Sequence, residues 1–287
     1  MIEHDAGIMH HVGCWRRGGG NSSGGEAIDH DRVHSLGKQS GAWPVAVVAT
    51  YVGMIAVNAL ANILPLFGRN TGEISDRYPS LFTPAAYTFS IWGVVYLLLA
   101  AFVVYQALPA KRADASLSTL RPLFVLSCVL NALWLVSWHA LWIPVSQVLM
   151  VALLLSLIAL YRRGGLWRGK ATAARFVLVE LPFSVYLGWI SVATIANTAI
   201  FLLDLGFDGG TAAPLLTVLV IAVGALLGVY GTISRRDWAF ALAIGWGLAG
   251  VAVAQTGGVQ LAATVCAGLV VLAAGVAMFR GRKEAPA

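Results

Sequence analysis

Aromatic and amide side chains recur at helical spacing in four apolar stretches of the chain. They are Asn58 and Asn62; Phe89, Trp92 and Tyr96; Asn131, Trp134 and Trp138; and Trp189, Ala193, Asn197 and Phe201. Because residues three, four or seven positions apart share one face of a helix, each stretch presents a stripe of these groups. Indole and phenol rings stack on flat π-systems and amides add hydrogen bonds, so the stripes predict a cavity for a flat hydrophobic ligand.

Two other interpretations of these side chains stay open. Tryptophans gather at the two surfaces of a membrane, which fits Trp142, Trp167 and Trp238 at the ends of their apolar stretches. That interpretation fits Trp92 and Trp189 poorly, because each lies several residues inside its stretch. Asparagines can also hydrogen-bond from one membrane helix to the next, in which case they serve packing alone.

The composition indicates that membrane helices must position these stripes. Hydrophobic residues make up 59% of the 287 residues and charged residues only 11%, with a mean hydropathy of +0.78, whereas soluble domains carry about 25% charged residues. Eight stretches approach the ~20 residues that cross a bilayer, at about 43–66, 87–108, 122–141, 145–161, 176–203, 212–233, 238–255 and 258–279. Continuous apolar runs favour helices over barrel strands. The predicted fold is therefore an all-α polytopic membrane helix bundle with eight spans.

The basic residues occupy alternate connections between the predicted spans. They lie in both terminal segments and after spans 2, 4 and 6, and only Arg69 and Arg77 lie in the other loops. The positive-inside rule then predicts that both termini are cytoplasmic, and we expect a bacterial inner membrane. Contact with anionic headgroups accounts for the net charge of +6, so no nucleic-acid partner is expected.

The two ends of the chain differ from its middle. Residues 1–42 are rich in Gly, Ser, His and charge and contain no long apolar run, which predicts a disordered cytoplasmic tail rather than a signal peptide. Residues 204–287 hold the last three spans and a short basic tail. In those spans, Gly224 and Gly228 form one small-residue pair and Gly245 with Ala249 another, which predicts close helix packing.

Two polar residues near the span ends carry separate predictions. Glu180 lies early in span 5 and is expected to pair with Arg175, the alternative being a polar pocket on the inner side. His139, near the outer end of span 3, is expected to be an interfacial, hydrated side chain. A contact with a ligand, or with a metal held in a tetrapyrrole, is the alternative.

Three segments resemble the tryptophan-rich sensory protein (TspO/MBR, translocator) family. They are residues 83–96 (TPAAYTFSIWGVVY), 131–139 (NALWLVSWH) and 186–197 (YLGWISVATIAN). The first looks like the family's proline-led approach to its second helix, and the others resemble its Asn-x-x-Trp and Tyr-Leu-x-Trp…Ala-Thr-x-x-Asn patterns. The resemblance covers residues 43–203, the first five spans, and leaves the three C-terminal spans outside the five-helix pattern.

The resemblance implies a five-helix bundle, commonly a homodimer, that binds tetrapyrroles or, in some members, sterols in a cavity closed by the loop after helix 1. Carried over by position, the lining would be Trp92, Tyr96, Asn131, Trp134, Tyr186, Trp189, Ala193 and Asn197. The helical stripes add Phe89, Trp138 and Phe201 to this ligand-binding set. No resident cofactor or metal is expected, and porphyrin or haem would enter as a ligand.

Four positions depart from the family pattern. A family Trp falls at Leu81 and another at Phe201, while family prolines fall at Thr83 and Val185. With two aromatic clamps replaced, a large macrocycle would be held more weakly, or the ligand would differ.

The leading hypothesis is an integral membrane sensor or receptor for a tetrapyrrole-like or other flat hydrophobic ligand. The alternative is a transporter or permease component for a hydrophobic small molecule, although no internal repeat or pair of broken helices is visible. An enzyme is not expected, because no nucleophile–base pair is visible. Light-dependent porphyrin breakdown, ascribed to some relatives, is the enzymatic alternative.

Overall fold

Eight long helices make up most of the protein. The computed structural model describes residues 30–64, 66–69, 71–169 and 171–283, of which residues 30–41, 62 and 281–283 are described by their backbone alone. The helices are α1 (His30–Ile63), α2 (Ile91–Ala107), α3 (Arg121–His139), α4 (Ile143–Arg163), α5 (Leu181–Asp204), α6 (Ala213–Arg235), α7 (Trp238–Ala254) and α8 (Gly257–Lys283). Every regular element in these ranges is helical, so the predicted all-α membrane bundle is confirmed.

Seven of the predicted spans form helices long and apolar enough to cross a bilayer. The remaining predicted span, α7, has 17 residues, about 25 Å at the usual helical rise. It is therefore shorter than the ~30 Å hydrocarbon core. The predicted tail of residues 1–42 falls mostly outside the described residues. Residues 1–29 are not described, and α1 begins at His30, inside the range assigned to the tail.

Proline marks the first turn of three long helices: Pro122, Pro144 and Pro214. The first N–H groups of a helix have no partner within it, so a proline there removes no hydrogen bond and fixes a helical φ. Short connections at residues 140–142 and 236–237 then make α3 and α4, and α6 and α7, antiparallel neighbours.

α1 buries one narrow stripe of side chains. Pro44, Val47, Met54, Asn58 and Ala61 are buried and recur on one face of the helix. Its other faces expose large aliphatic side chains such as Val45, Val52 and Ile63. A helix that is apolar on its exposed faces as well as its buried one is suited to lipid.

Glycines let α7 lie against the neighbouring helices. A Cβ at Gly188 of α5 would come within 2.5 Å of the Phe240 carbonyl oxygen, and one at Gly247 of α7 within 2.6 Å of Val192. The predicted close packing of small residues is confirmed at two sites: a Cβ at Gly228 would lie 2.9 Å from Val270, and one at Gly245 3.1 Å from Val271. α7 is thus packed directly onto α5, and the three C-terminal helices are packed onto one another.

The C-terminal half of α7 also holds the segment that leads into α2. The Ala85 N–H donates to the Gly250 carbonyl at 3.0 Å, and the Trp246 indole N–H donates to the Thr88 carbonyl at 2.9 Å. Because Phe89 and Trp92 follow directly in the chain, these bonds fix the backbone from which both side chains extend.

Candidate ligand-binding site

Trp92 of α2 lies at the centre of a group of aromatic rings. Its ring centroid is 5.3 Å from Tyr96, 6.0 Å from Trp134, 6.1 Å from Trp189 and 6.2 Å from Tyr186. Aromatic pairs at centroid distances of about 4.5–7 Å attract each other beyond their burial alone. Rings from α2, α3 and α5 therefore converge on Trp92.

Two further rings extend this group. Trp134 stacks on Trp138 at 6.0 Å, and Phe89 meets Trp189 edge-on at 6.2 Å. The aromatic cluster is defined as Phe89, Trp92, Tyr96, Trp134, Trp138, Tyr186 and Trp189. Trp134, Trp138 and Trp189 do not belong to an interfacial belt, because all three are buried within the protein.

An amide network ties the cluster to α1. Asn58 Nδ2 donates to Asn131 Oδ1 at 3.0 Å, and Asn131 Nδ2 donates to the Tyr186 hydroxyl at 3.3 Å. The Tyr96 hydroxyl donates to Asn58 Oδ1, and the Tyr51 hydroxyl donates to the Tyr96 carbonyl at 2.8 Å. Side chains of α1, α2, α3 and α5 are tied together by these bonds.

A second network joins α3, α4 and α5. The Trp134 indole N–H donates to Asn197 Oδ1 at 3.0 Å, and Asn197 Nδ2 donates to Gln147 Oε1 at 2.7 Å. Gln147 Nε2 in turn donates to the Thr198 hydroxyl at 2.9 Å. Asn131 and Asn197 thus use both ends of their amides within the protein, which is the packing role that the sequence left open.

A short helix, Thr71–Asp76, covers the end of the cluster at Trp138. Its Ile74 and Ser75 are buried, and the Thr71 carbonyl accepts a bond from the Trp138 indole N–H at 3.4 Å. The following loop is tied to the end of α5, where the Tyr78 hydroxyl donates to Asp204 at 3.1 Å. Burial, and then the hydrogen bond to this carboxylate, raise the pKa of Tyr78.

Two cavities flank Trp92. The inner cavity, about 30 Å³, is enclosed by the cluster and reaches Ala193 and Asn197. The lateral groove, about 340 Å³, lies between α1 and α2 and is lined by Ile55, Asn58, Ala59, Ile63, Thr71, Phe89, Trp92, Tyr96 and Leu135. Thr71, Phe89 and Trp92 line both cavities and therefore lie between them.

One polar group of the cluster stays without a partner. The Trp189 indole N–H is buried and meets no hydrogen-bond acceptor among the described residues, although Trp189 lines the inner cavity. A buried, unpaired donor carries a free-energy cost that an acceptor at this position would relieve.

The structure places most of the sequence-predicted residues around these two cavities. Asn131 and Tyr186 lie behind the rings and line neither cavity, and Phe201 also lines neither. The side chain of Asn62 falls outside the described residues. Sequence reasoning missed Gln147, whose signal is a lone amide inside the apolar run of α4.

The two separately predicted polar residues have different outcomes. Arg175 pairs with Glu180 at 3.7 Å, which confirms that prediction. The prediction that His139 is interfacial and hydrated is wrong, because its side chain is fully buried. Its Nδ1 lies 2.9 Å from the Leu135 carbonyl oxygen, and that contact with the preceding helical turn holds the ring inside the bundle.

The fold and this site define a polytopic helical membrane protein whose first five spans are tied together around an aromatic cluster. A family model described as TSPO-like protein matches residues 44–277, most of the chain, and the protein belongs to that family. The match continues beyond residue 203 through α6 and α7 and most of α8, helices that the sequence placed outside the five-helix pattern. No curated protein and no solved structure matches the chain.

Proposed function

We propose that the protein is a membrane receptor that binds a flat hydrophobic molecule of the tetrapyrrole class in the lateral groove. The ligand lies against the wall formed by Phe89, Trp92 and Tyr96. The observation that carries this proposal is the position of Trp92, which the other rings hold from behind while it lines a groove of about 340 Å³. That volume falls within the 300–1,000 Å³ typical of small-molecule sites, as an approximate guide.

The groove suits a ligand that arrives from the bilayer. Ile63, at its rim on α1, is 75% exposed, and Ala59 is also exposed. α1 contributes only a narrow buried stripe to the bundle, so lipid reaches the edge of the groove. A hydrophobic ligand dissolved in the membrane then enters between α1 and α2 without crossing water.

Different residues of the predicted site serve different roles. The rings of Phe89, Trp92 and Tyr96 contact the ligand, and each stacking pair contributes about 0.5–1.5 kcal/mol beyond area burial. Asn131 and Asn197 position the rings, because their amides are bonded within the protein.

The proposal is of binding rather than catalysis, and it includes an orientation. Among the described residues, the groove wall offers aromatic, aliphatic, hydroxyl and amide groups, with no carboxylate, imidazole or amine to move a proton. The end of the bundle that carries the basic loops faces the cytoplasm of a bacterial cell, in keeping with the positive-inside rule.

Titration of the purified protein with protoporphyrin tests the proposal. The Soret absorbance of the porphyrin is the readout, because removing a tryptophan also removes a fluorescent reporter. Trp92→Leu should weaken binding by at least tenfold. Trp142→Leu, which removes a tryptophan that is 60% exposed and lies outside the cluster, should leave binding unchanged. Equal affinity of the Trp92→Leu variant and the unsubstituted protein would contradict the proposal.

A further inference from the structure

A third cavity, of about 670 Å³, lies between α4, α5 and α6 at the end of the bundle that carries the basic loops. Its wall is largely aliphatic, with Leu154, Ile158, Leu187, Val223 and Leu227 among the lining residues. It arises because α6 packs mainly on α7 and α8 and little on α5. None of the predicted ligand-binding residues lines it.

Three arginines line the basic end of this cavity: Arg162, Arg168 and Arg235. Arg162 and Arg168 are exposed, and their side chains make no hydrogen bond or ion pair with any residue in the described part of the chain. Arg235 is held in place, because its guanidinium lies 4.8 Å from the Tyr161 ring centroid and donates to the Leu166 carbonyl at 3.1 Å.

No carboxylate balances these charges within the cavity, since its described lining contains no Asp or Glu. Asp237 lies behind Tyr161, but it accepts hydrogen bonds from the Tyr161 hydroxyl at 2.6 Å and the Ser184 hydroxyl at 2.8 Å, and it is fully buried. The mouth therefore presents uncompensated positive charge beside an apolar interior.

The depth of the cavity matches one leaflet of a membrane. Its α5 wall runs from Leu187 to Ile195, about 12 Å along the axis, and its α6 wall from Val223 to Ser234, about 17 Å. Half of a ~30 Å hydrocarbon core is about 15 Å. Arg162, Arg168 and Arg235 then lie at headgroup level, and the aliphatic wall lies at acyl-chain level.

From this arrangement we infer that the α5–α6 cavity binds an anionic phospholipid of the leaflet at the basic end. The phosphate lies between Arg162 and Arg168, and the acyl chains lie along the wall of α5 and α6. Basic pockets between membrane helices on the cytoplasmic side are suited to such headgroups. The cavity is also open toward the lipid, because Val223 and Tyr230 are 52% and 69% exposed.

The wall favours flexible chains over a flat macrocycle. Apart from Tyr161, Tyr230 and Phe240, its apolar lining is made of leucine, isoleucine and valine. Aliphatic side chains pack against acyl chains without a preferred plane, whereas the aromatic cluster offers ring faces. This inference does not depend on the proposed receptor function, since the two cavities share no residue.

Lipid exchange followed by native mass spectrometry of the full-length protein tests the inference. The probes are phosphatidylglycerol and phosphatidylcholine with identical acyl chains. An arginine near an anionic surface contributes about fivefold in affinity, so Arg162→Gln with Arg168→Gln should reduce phosphatidylglycerol retention by about 25-fold. The matched control, Arg163→Gln with Arg280→Gln, removes two exposed arginines of the same end that do not line the cavity, and retention should be unchanged.

A second variant tests the apolar wall. Ser191→Phe fills the cavity between α5 and α6 and should release the lipid while all three arginines remain. Equal retention of both lipids by the unsubstituted protein, or equal losses in the two double variants, would overturn the inference. Displacement of the lipid by equimolar protoporphyrin would also overturn it, because the cavity would then belong to the macrocycle.

Discussion

The aromatic cluster fills the space between its helices, whereas the α5–α6 cavity leaves the space between its helices open. Five rings of the cluster, those of Phe89, Trp92, Trp134, Trp138 and Trp189, line a cavity of only about 30 Å³, whereas the mainly aliphatic walls of α4, α5 and α6 leave about 670 Å³. The rings occupy the space between their helices because each packs on the next and the amide networks hold them there. In the second region, the packing of α6 on α7 and α8 keeps it apart from α5.

The aromatic and amide side chains that stand out in the sequence therefore lie where little space is left, and the largest open volume lies elsewhere. Substitutions in the closed cluster should cost mainly stability, since the side chains there depend on one another. Substitutions in the open cavity should cost little stability and act on whatever fills it.

The largest effect is expected from Asn131→Leu. The substitution removes both the acceptor for Asn58 Nδ2 and the donor to the Tyr186 hydroxyl. A buried polar group that loses its only partner costs about 1–3 kcal/mol, and Asn58 Nδ2 keeps its bond to the Met54 carbonyl, so the free energy of unfolding should fall by about 2–4 kcal/mol. Unfolding in mixed detergent micelles measures it. Leu133→Ala, at a position of the same helix that is 49% exposed, should change stability by less than about 1 kcal/mol. Equal losses at the two positions would remove the distinction between closed and exposed sites.

A smaller loss is expected where α7 meets α5. Gly247→Val places a side chain where a Cβ would lie 2.6 Å from Val192, and such overpacking costs about 1–3 kcal/mol. Gly268→Ala, in α8, has no atom within 4 Å of the added Cβ and should be neutral or stabilising. Thermal denaturation in detergent distinguishes the two variants. A Gly247→Val variant as stable as the unsubstituted protein would show that α7 is not packed closely against α5.

The connection between α6 and α7 should give a pH-dependent difference. Burial raises the pKa of Asp237 above its usual value, despite hydrogen bonds from Phe240, Tyr161 and Ser184 that lower it. A raised folded-state pKa means that the carboxyl contributes most stability below its unfolded pKa of about 3.9 and loses that contribution as the pH rises through the folded pKa. The melting temperature of the unsubstituted protein minus that of Asp237→Asn should therefore fall from acidic to neutral pH. An increase in this difference over the same pH range would show that burial does not raise the pKa of Asp237.

The smallest effect on stability is expected inside the open cavity. Val223 is already 52% exposed, so Val223→Ala should change the free energy of unfolding by about 0.5 kcal/mol or less. Chemical unfolding with and without added phosphatidylglycerol measures it. A loss comparable to that of Asn131→Leu would show that the α5–α6 wall is a packed core.

The stripes of Trp92, Trp134 and Trp189 could be predicted to converge because helical spacing fixes which face a side chain occupies, and membrane helices bury their polar and aromatic faces. The eight apolar stretches likewise follow from bilayer thickness. The closure of the inner cavity could not be predicted, since it depends on ring rotamers and on interhelical distances of a few ångströms. His139 was misplaced because sequence position near a span end does not reveal the fold of the loop above it.

The α5–α6 cavity was invisible in the sequence for a different reason. Leucines and valines that line a cavity carry the same pattern as those that face lipid, and Arg162 and Arg168 resemble ordinary topogenic residues. Only the separation of α5 from α6 distinguishes them, and that separation is set by the glycines that draw α6, α7 and α8 together.

The most direct test of the account is protoporphyrin binding, measured by Soret absorbance in nanodiscs, to two variants that fill one cavity each. Ala59→Trp fills the lateral groove from an exposed position on α1 and should abolish saturable binding, while Ala56→Trp, exposed on the same helix but outside the groove, should not. Ser191→Phe should leave porphyrin affinity unchanged. Porphyrin binding that survives Ala59→Trp but is lost in Ser191→Phe would contradict the assignment of the ligand to the Trp92 wall.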